Sequence, residues 1–147
     1  MERFKIYCAV HLMIIKDSKI LLQRRINPNK YGYLKLGIPA GHLEENENPL
    51  EAMIREAKEE LNIELTDFEL VQIMNVNGGT GVYDSYFFIC NDYKGTITNN
   101  EKDDSKELEW HSIDEPIEDL MDYQQYALDI YKKNPSLTFT MFGWDKD

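Results

Sequence analysis

Glu56, Glu59 and Glu60 stand at i, i+3 and i+4 in a segment that reads PLEAMIREAKEELNI from Pro49. At about 100° per residue the three side chains share one arc of a helix about 100° wide. Like charges at that spacing repel, at several tenths of a kcal/mol per close pair in an isolated helix. Lys58 projects elsewhere on the wheel, and only Arg55, four residues before Glu59, lies where it could hold a carboxylate. Oxygen-only ligands so placed suit a hard divalent cation such as Mg2+ or Mn2+, which keeps several waters and bridges to phosphates. Spacing alone leaves a solvated acidic face equally open.

The helix that must carry them is well specified. Asn48 is a capping residue, Pro49 suits the first helical position, and Glu51 stands where its side chain reaches back to the Asn48 N–H. Leu50, Met53, Ile54, Ala57 and Leu61 fall on one stripe, the expected buried face. Ahead of the helix, the apolar runs 4–15 and 20–25 flank the polar KDSK and predict a β-hairpin; INPNKYGY predicts a loop. Behind it, FELVQIMNV and VYDSYFFIC are strands joined by the turn NGGTG, residues 91–106 a polar loop, and ELEWHSI a last strand. Leu120, Tyr123, Tyr126 or Ala127, and Ile130 predict a final helix from Asp119. The order of strands, helix, strands, helix predicts a mixed sheet between helices, antiparallel at the hairpins and parallel across the central crossover.

Composition narrows the class. A chain of 147 residues, 42% hydrophobic, is expected to form one domain over 1–147. The longest nearly apolar run, Cys8–Ile15, is far too short to span a bilayer, and MERFKIYC lacks a signal peptide's features, so the cytosol is expected. Cys8 and Cys90 stand alone in apolar segments, as buried thiols do. A net charge of −11 repels long nucleic acid, but an acidic chain holds a small phosphorylated ligand when cations sit between carboxylates and phosphates.

The stretch from Gly41 to Ile63 is similar to the signature of the Nudix hydrolases, G-x5-E-x7-R-E-U-x-E-E-x-G-U with U aliphatic. It falls on Gly41, Glu47, Arg55, Glu56, Ala57, Glu59, Glu60, Asn62 and Ile63, and eight of these nine positions agree. Asn62 replaces the glycine that closes the helix, and Asn46 stands where many members have another glycine; asparagine is the usual second choice for a left-handed residue. KILLQRR, PAGHLE, YFFI, ELEW and FGW extend the resemblance to a bacterial, MutT-like subgroup over nearly the whole chain.

The resemblance implies an α/β (α+β) fold, an α/β/α sandwich with a mixed central β-sheet, and hydrolysis of a nucleoside diphosphate linked to another moiety. Nucleoside triphosphates and ADP-ribose or NDP-sugar compounds are the substrate classes it admits. It further implies Mg2+ or Mn2+ held by Glu56, Glu59 and Glu60 with a carbonyl near Gly41, Glu47 and Arg55 as supports, and a homodimer as one admissible assembly. The cations would neutralise the pyrophosphate and lower the pKa of a bound water. A Nudix-fold module that binds a nucleotide-like effector without cleaving it is the alternative, weakened by the presence of all three glutamates.

The general base differs among such enzymes. Glu107 is the preferred loop candidate, Glu101 and Glu109 compete with it, and Glu107→Gln is expected to lower kcat at least tenfold. Arg24 and Arg25 end a strand beside the rim of the site, one for substrate phosphate and the other solvated or paired. His11 reads as a satisfied core histidine, and His42 and His111 are too separated for a metal site. Tyr31, Tyr33 and Tyr83 could stack a base but are more often packing residues, as are Trp110 and Trp144.

Overall fold

The computed structural model describes residues 1–100, 103 and 105–145. Its elements are β1 (Tyr7–Met13), β2 (Ile15–Lys16), β3 (Lys19–Arg25), β4 (Leu36–Gly37), β5 (Ala40–His42), α1 (Pro49–Leu61), β6 (Glu64–Asn77), β7 (Val82–Lys94), β8 (Lys106–Ser112), α2 (Asp122–Lys133) and β9 (Thr138–Phe142). A mixed five-stranded sheet runs β5-β1-β7-β6-β9, with β1–β7 and β6–β9 parallel and the other pairs antiparallel. A four-stranded antiparallel sheet is built on β3, which pairs with β2, β4 and β8.

The core lies in two layers. One joins Val10, Leu12 and Leu21 to Ala52, Met53, Ala57 and Leu61 of α1; the other joins Met13, Ile20, Leu22 and Phe87 to Ala127 and Leu128 of α2. Successive residues of β1 and β3 point to opposite faces, so each strand feeds both layers and the helices cover both sides, as the α/β/α arrangement requires.

The expected hairpin is corrected. Residues 4–15 do not pair with the strand from Ile20: β1 lies between β5 and β7, and only the two residues of β2 pair with β3. A strand buried on both faces, as β1 is from Ala9 to Met13, is better served by neighbours on both edges than by a two-stranded ribbon. The edge strand β9 was not anticipated, because its alternation is inverted. Phe139 and Met141 are exposed, while Thr140 turns in to donate from Oγ1 to Gln72 Oε1 at 2.7 Å. α2 starts at Asp122 instead of Asp119, because the Asp119 carbonyl accepts from Leu36 N at 2.9 Å.

The buried stripe of α1 is also corrected. Met53, Ala57 and Leu61 are buried, but Leu50 and Ile54 are 52% and 42% exposed and Ala52 takes their place. The inward arc is thus rotated toward Ala52, and Glu56 and Glu60 fall inside it instead of beside it. Both are nearly buried, with side chains 13% and 18% exposed, against 54% for Glu59.

Candidate active site

The capping box forms as the sequence requires: Asn48 Oδ1 accepts from Glu51 N at 2.9 Å and Glu51 Oε1 from Asn48 N at 3.1 Å. Asn62 closes α1 in the left-handed region at φ 58°, and Asn46 takes φ 65°, so both replacements of glycine sit where asparagine is tolerated. The last carbonyls of the helix are not left to solvent. Thr98 N donates to Leu61 O at 3.0 Å, Asn100 N to Glu60 O at 2.9 Å, and Asn100 Nδ2 to Glu59 O at 3.0 Å. The segment after β7 therefore fixes the turn that carries the carboxylates.

Arg55 organises one side of the acidic row. Its Nε and Nη2 donate to the two oxygens of Glu47 at 2.7 and 2.9 Å, and Nη2 also donates to the His42 carbonyl at 2.9 Å. Its Nη1 donates to Glu56 Oε1 at 2.8 Å and Glu59 Oε2 at 3.1 Å. The guanidinium holds the Glu47 carboxyl down to about 2, with help from the Glu44 N–H. Burial pushes the Glu56 carboxyl up, and the hydrogen bond from Arg55 opposes that. Repulsion among the glutamates is thereby offset by one shared cation.

Gly41 on β5 lies under the Glu56 carboxyl. A Cβ there would stand 2.0 Å from Glu56 Cδ, so any side chain at 41 must push that carboxylate aside. Glu60 is held differently. Its Oε2 accepts from Gln23 Nε2 on β3 at 2.8 Å, with Lys106 Nζ on β8 at 3.8 Å.

A cavity of about 660 Å³ opens beside this row, between the two sheets. Gly41, His42, Gln23, Arg25 and Lys106 line it near the carboxylates, and His11, Tyr31, Tyr83, Tyr123 and Gln124 farther round. His11 is 1% exposed and stacks on Phe87, with Nε2 at 2.9 Å from the Tyr123 hydroxyl; burial lowers its pKa to about 4. It is a core histidine as expected but only partly satisfied, since its Nδ1 has no hydrogen-bond partner.

Strand geometry separates the remaining candidates. Gln23, Arg25, Lys106 and Leu108 share one face of the four-stranded sheet, while Arg24, Glu107 and Glu109 share the other. Arg25 lines the cavity, whereas Arg24 is spent on Glu109, at 2.6 and 3.0 Å, on Asp119 at 3.0 Å and on the Leu34 carbonyl. The substrate role open to either arginine is thus corrected for Arg24. The base role for Glu107 is corrected as well: it is exposed and points to the face away from Glu60. Glu109, the competing carboxylate, is bound to Arg24 and His111 on that same face, and Glu101 lies outside the described residues. Tyr31 and Tyr83 line the cavity; Tyr33 does not. Trp144 donates to Asn75 Oδ1 on β6, as a sheet-covering residue should. The sequence reading missed Gln23 and Lys106, although a glutamine inside the apolar run ILLQ was a signal that something polar meets it.

The donor set fits a hard cation: three carboxylates on two adjacent turns, two of them meeting at one nitrogen of Arg55, over a glycine that leaves room for Glu56. In the arrangement described, Arg55 and Gln23 draw them to separate partners, and among the described residues no three acidic, histidine or cysteine side chains form a ready-made cage. Gathering them on a cation requires side-chain rotation alone.

A NUDIX domain model matches residues 7–131. The chain is similar to the 8-oxo-dGTP diphosphatase of Proteus vulgaris, 26% identical over 99 residues that cover 67% of this chain and 87% of that protein. Among solved structures, the MutT NUDIX hydrolase from Burkholderia pseudomallei superposes with a TM-score of 0.76 at 22% identity, covering 86% of this chain and 98% of that one. The E. coli ORF135 protein superposes with a TM-score of 0.71 at 26% identity, covering 88% and 90%. With the acidic row, its arginine and its glycine in register on one helix and strand, the domain match means that the chain belongs to the NUDIX domain family as a MutT-like hydrolase.

Proposed function

We propose that the protein is a Mg2+- or Mn2+-dependent pyrophosphohydrolase that cleaves an anhydride bond in a nucleoside diphosphate linked to another moiety. Nucleoside triphosphates, oxidised forms included, are the preferred class, and the cytosol is its compartment. The observation that carries the reading is the seating of Glu56 over Gly41, tied through Arg55 to Glu47 and Glu59, at the mouth of a cavity large enough for a nucleoside. The similarity to a diphosphatase of an oxidised nucleotide supports the choice of class.

Glu56, Glu59 and Glu60, with the Gly41 carbonyl, would hold the cation, which supplies charge neutralisation on the phosphates and an acidified water when bound. Arg55 and Glu47 hold the carboxylates in register. Arg25 and Lys106 lie on the cavity wall where the phosphates of a seated nucleotide carry their charge, and Tyr31 and Tyr83 offer rings to the base. With Glu107 on the other face, the proton of the attacking water passes to a carboxylate of α1.

A turnover panel tests this: ordinary and oxidised nucleoside triphosphates, ADP-ribose, NDP-sugars and dinucleoside polyphosphates, each with Mg2+ and with Mn2+. The expected result is highest kcat/KM on a nucleoside triphosphate. Preference for ADP-ribose or an NDP-sugar would move the substrate class, and no turnover of any member with either metal would make the protein a binding module.

A further inference from the structure

The three carboxylates of the row are not held alike, and the difference falls on Gln23. Glu56 and Glu59 are gripped by a cation, Arg55; Glu60 is gripped by a neutral amide from a strand of the other sheet. Gln23 is 3% exposed, and a glutamine so placed costs stability unless its amide is partnered. Its neighbours along β3, Leu21 and Leu22, are wholly buried apolar residues, so packing alone asks for no amide here. The partner it finds is Glu60 Oε2 at 2.8 Å, and the same side chain lines the cavity.

We infer that Gln23 is a positioning residue for metal binding: its amide holds Glu60 toward the cavity, in the rotamer from which that carboxylate engages a divalent cation. The inference rests on the proposed role of the α1 carboxylates. A neutral donor suits the task, because it orients a carboxylate without competing with the incoming ion for its charge, as a lysine or arginine would. It also fixes which oxygen is occupied. The Gln23 N–H takes Oε2, leaving Oε1 as the atom free of that bond. Partners of this kind behind a ligand characteristically set metal affinity by 10- to 100-fold.

Gln23→Met keeps the length and bulk of the side chain and removes the amide; Gln23→Asn keeps the amide but withdraws it by one methylene, and serves if the methionine variant does not fold. Mn2+ binding to the full chain without nucleotide, read by electron paramagnetic resonance of the free ion, should weaken at least about tenfold in either variant. At saturating Mn2+ the KM for nucleotide should stay within about twofold. In a Glu60→Gln background, Gln23→Met should produce no further loss of Mn2+ affinity, whereas a residue that merely packs would still produce its own. An unchanged Mn2+ affinity in a folded Gln23 variant, or full additivity with Glu60→Gln, overturns the assignment. Wild-type protein that binds no Mn2+ overturns the site reading itself, and this inference with it.

Discussion

Arg55 and Arg24 build networks of closely similar make-up on opposite sides of the molecule. Each donates through Nε and Nη2 to both oxygens of one carboxylate, Glu47 or Glu109, through Nη1 to a further acid, and to one backbone carbonyl, His42 or Leu34. Their side chains are equally shielded, at 20% and 21% exposure. The difference lies in what they border. Arg55 faces a row with more acid than it can neutralise, next to a cavity; Arg24 faces Glu109 and Asp119 and joins the end of β3 to the approach to α2. A paired arginine is therefore not a mark of function. An excess of carboxylates around it, beside a space that admits a ligand, is the stronger sign.

The largest expected effect tests the Arg55 side. Arg55→Ala releases Glu47, Glu56 and Glu59 together, and turnover should fall about 100-fold, with weaker Mn2+ binding and a folded circular-dichroism spectrum. A loss under threefold would put Arg55 in the same class as Arg24. Next in size is Gly41→Ala, which displaces the Glu56 carboxylate without straining a left-handed backbone; about a tenfold drop in kcat is expected, with the melting temperature nearly unchanged.

Arg24→Ala should do the reverse. It leaves Glu109 and Asp119 facing each other without their cation, costing about 1–3 kcal/mol in denaturant unfolding while kcat/KM stays within about twofold. A large loss of activity from this variant would collapse the distinction between the two networks.

Acid titration sharpens the comparison further. Arg55 depresses the Glu47 carboxyl to about 2 and Arg24 depresses that of Glu109, both below the ordinary 4.5. A carboxylate with a folded pKa below its unfolded one contributes stability that is present above about pH 4.5 and is lost as pH falls toward the folded value. Melting temperature should therefore drop through that window in the wild type, and less steeply in Arg55→Ala or Arg24→Ala; parallel slopes in all three proteins would mean that neither network reports on acid stability. The smallest effect belongs to Glu107→Gln. Exposed and turned from the site, it should change neither turnover nor stability by more than about twofold, and a tenfold fall in kcat would return it to the mechanism.

How much of this was legible beforehand depended on how far along the chain each interaction reaches. The capping box, the left-handed Asn62, the arc of Glu56, Glu59 and Glu60, and the Arg55–Glu59 pair all lie within a few residues of one another, where helical geometry leaves one outcome. Glu47 and Arg55 are eight residues apart and came through the motif. Gln23–Glu60 and Lys106–Glu60 join segments 37 and 46 positions apart, and nothing local names the partner. The buried stripe of α1 shows the same limit from another side. Periodicity put Leu50 and Ile54 inward, but the sheet packs against an arc turned toward Ala52, and that rotation is set by the surface the helix meets.

The sequence by itself determined that one helix would carry three convergent carboxylates, an arginine among them and a glycine ahead of them, because rise and turn per residue are the same in any α-helix. Only the tertiary structure decided which of Arg24 and Arg25 meets the cavity, which of Lys106 and Glu107 faces Glu60, and that Gln23 stands behind it. Adjacent residues of a strand point to opposite faces, so the pairing register of β3 with β8 assigns every one of those roles, and a slip of one residue would exchange them all.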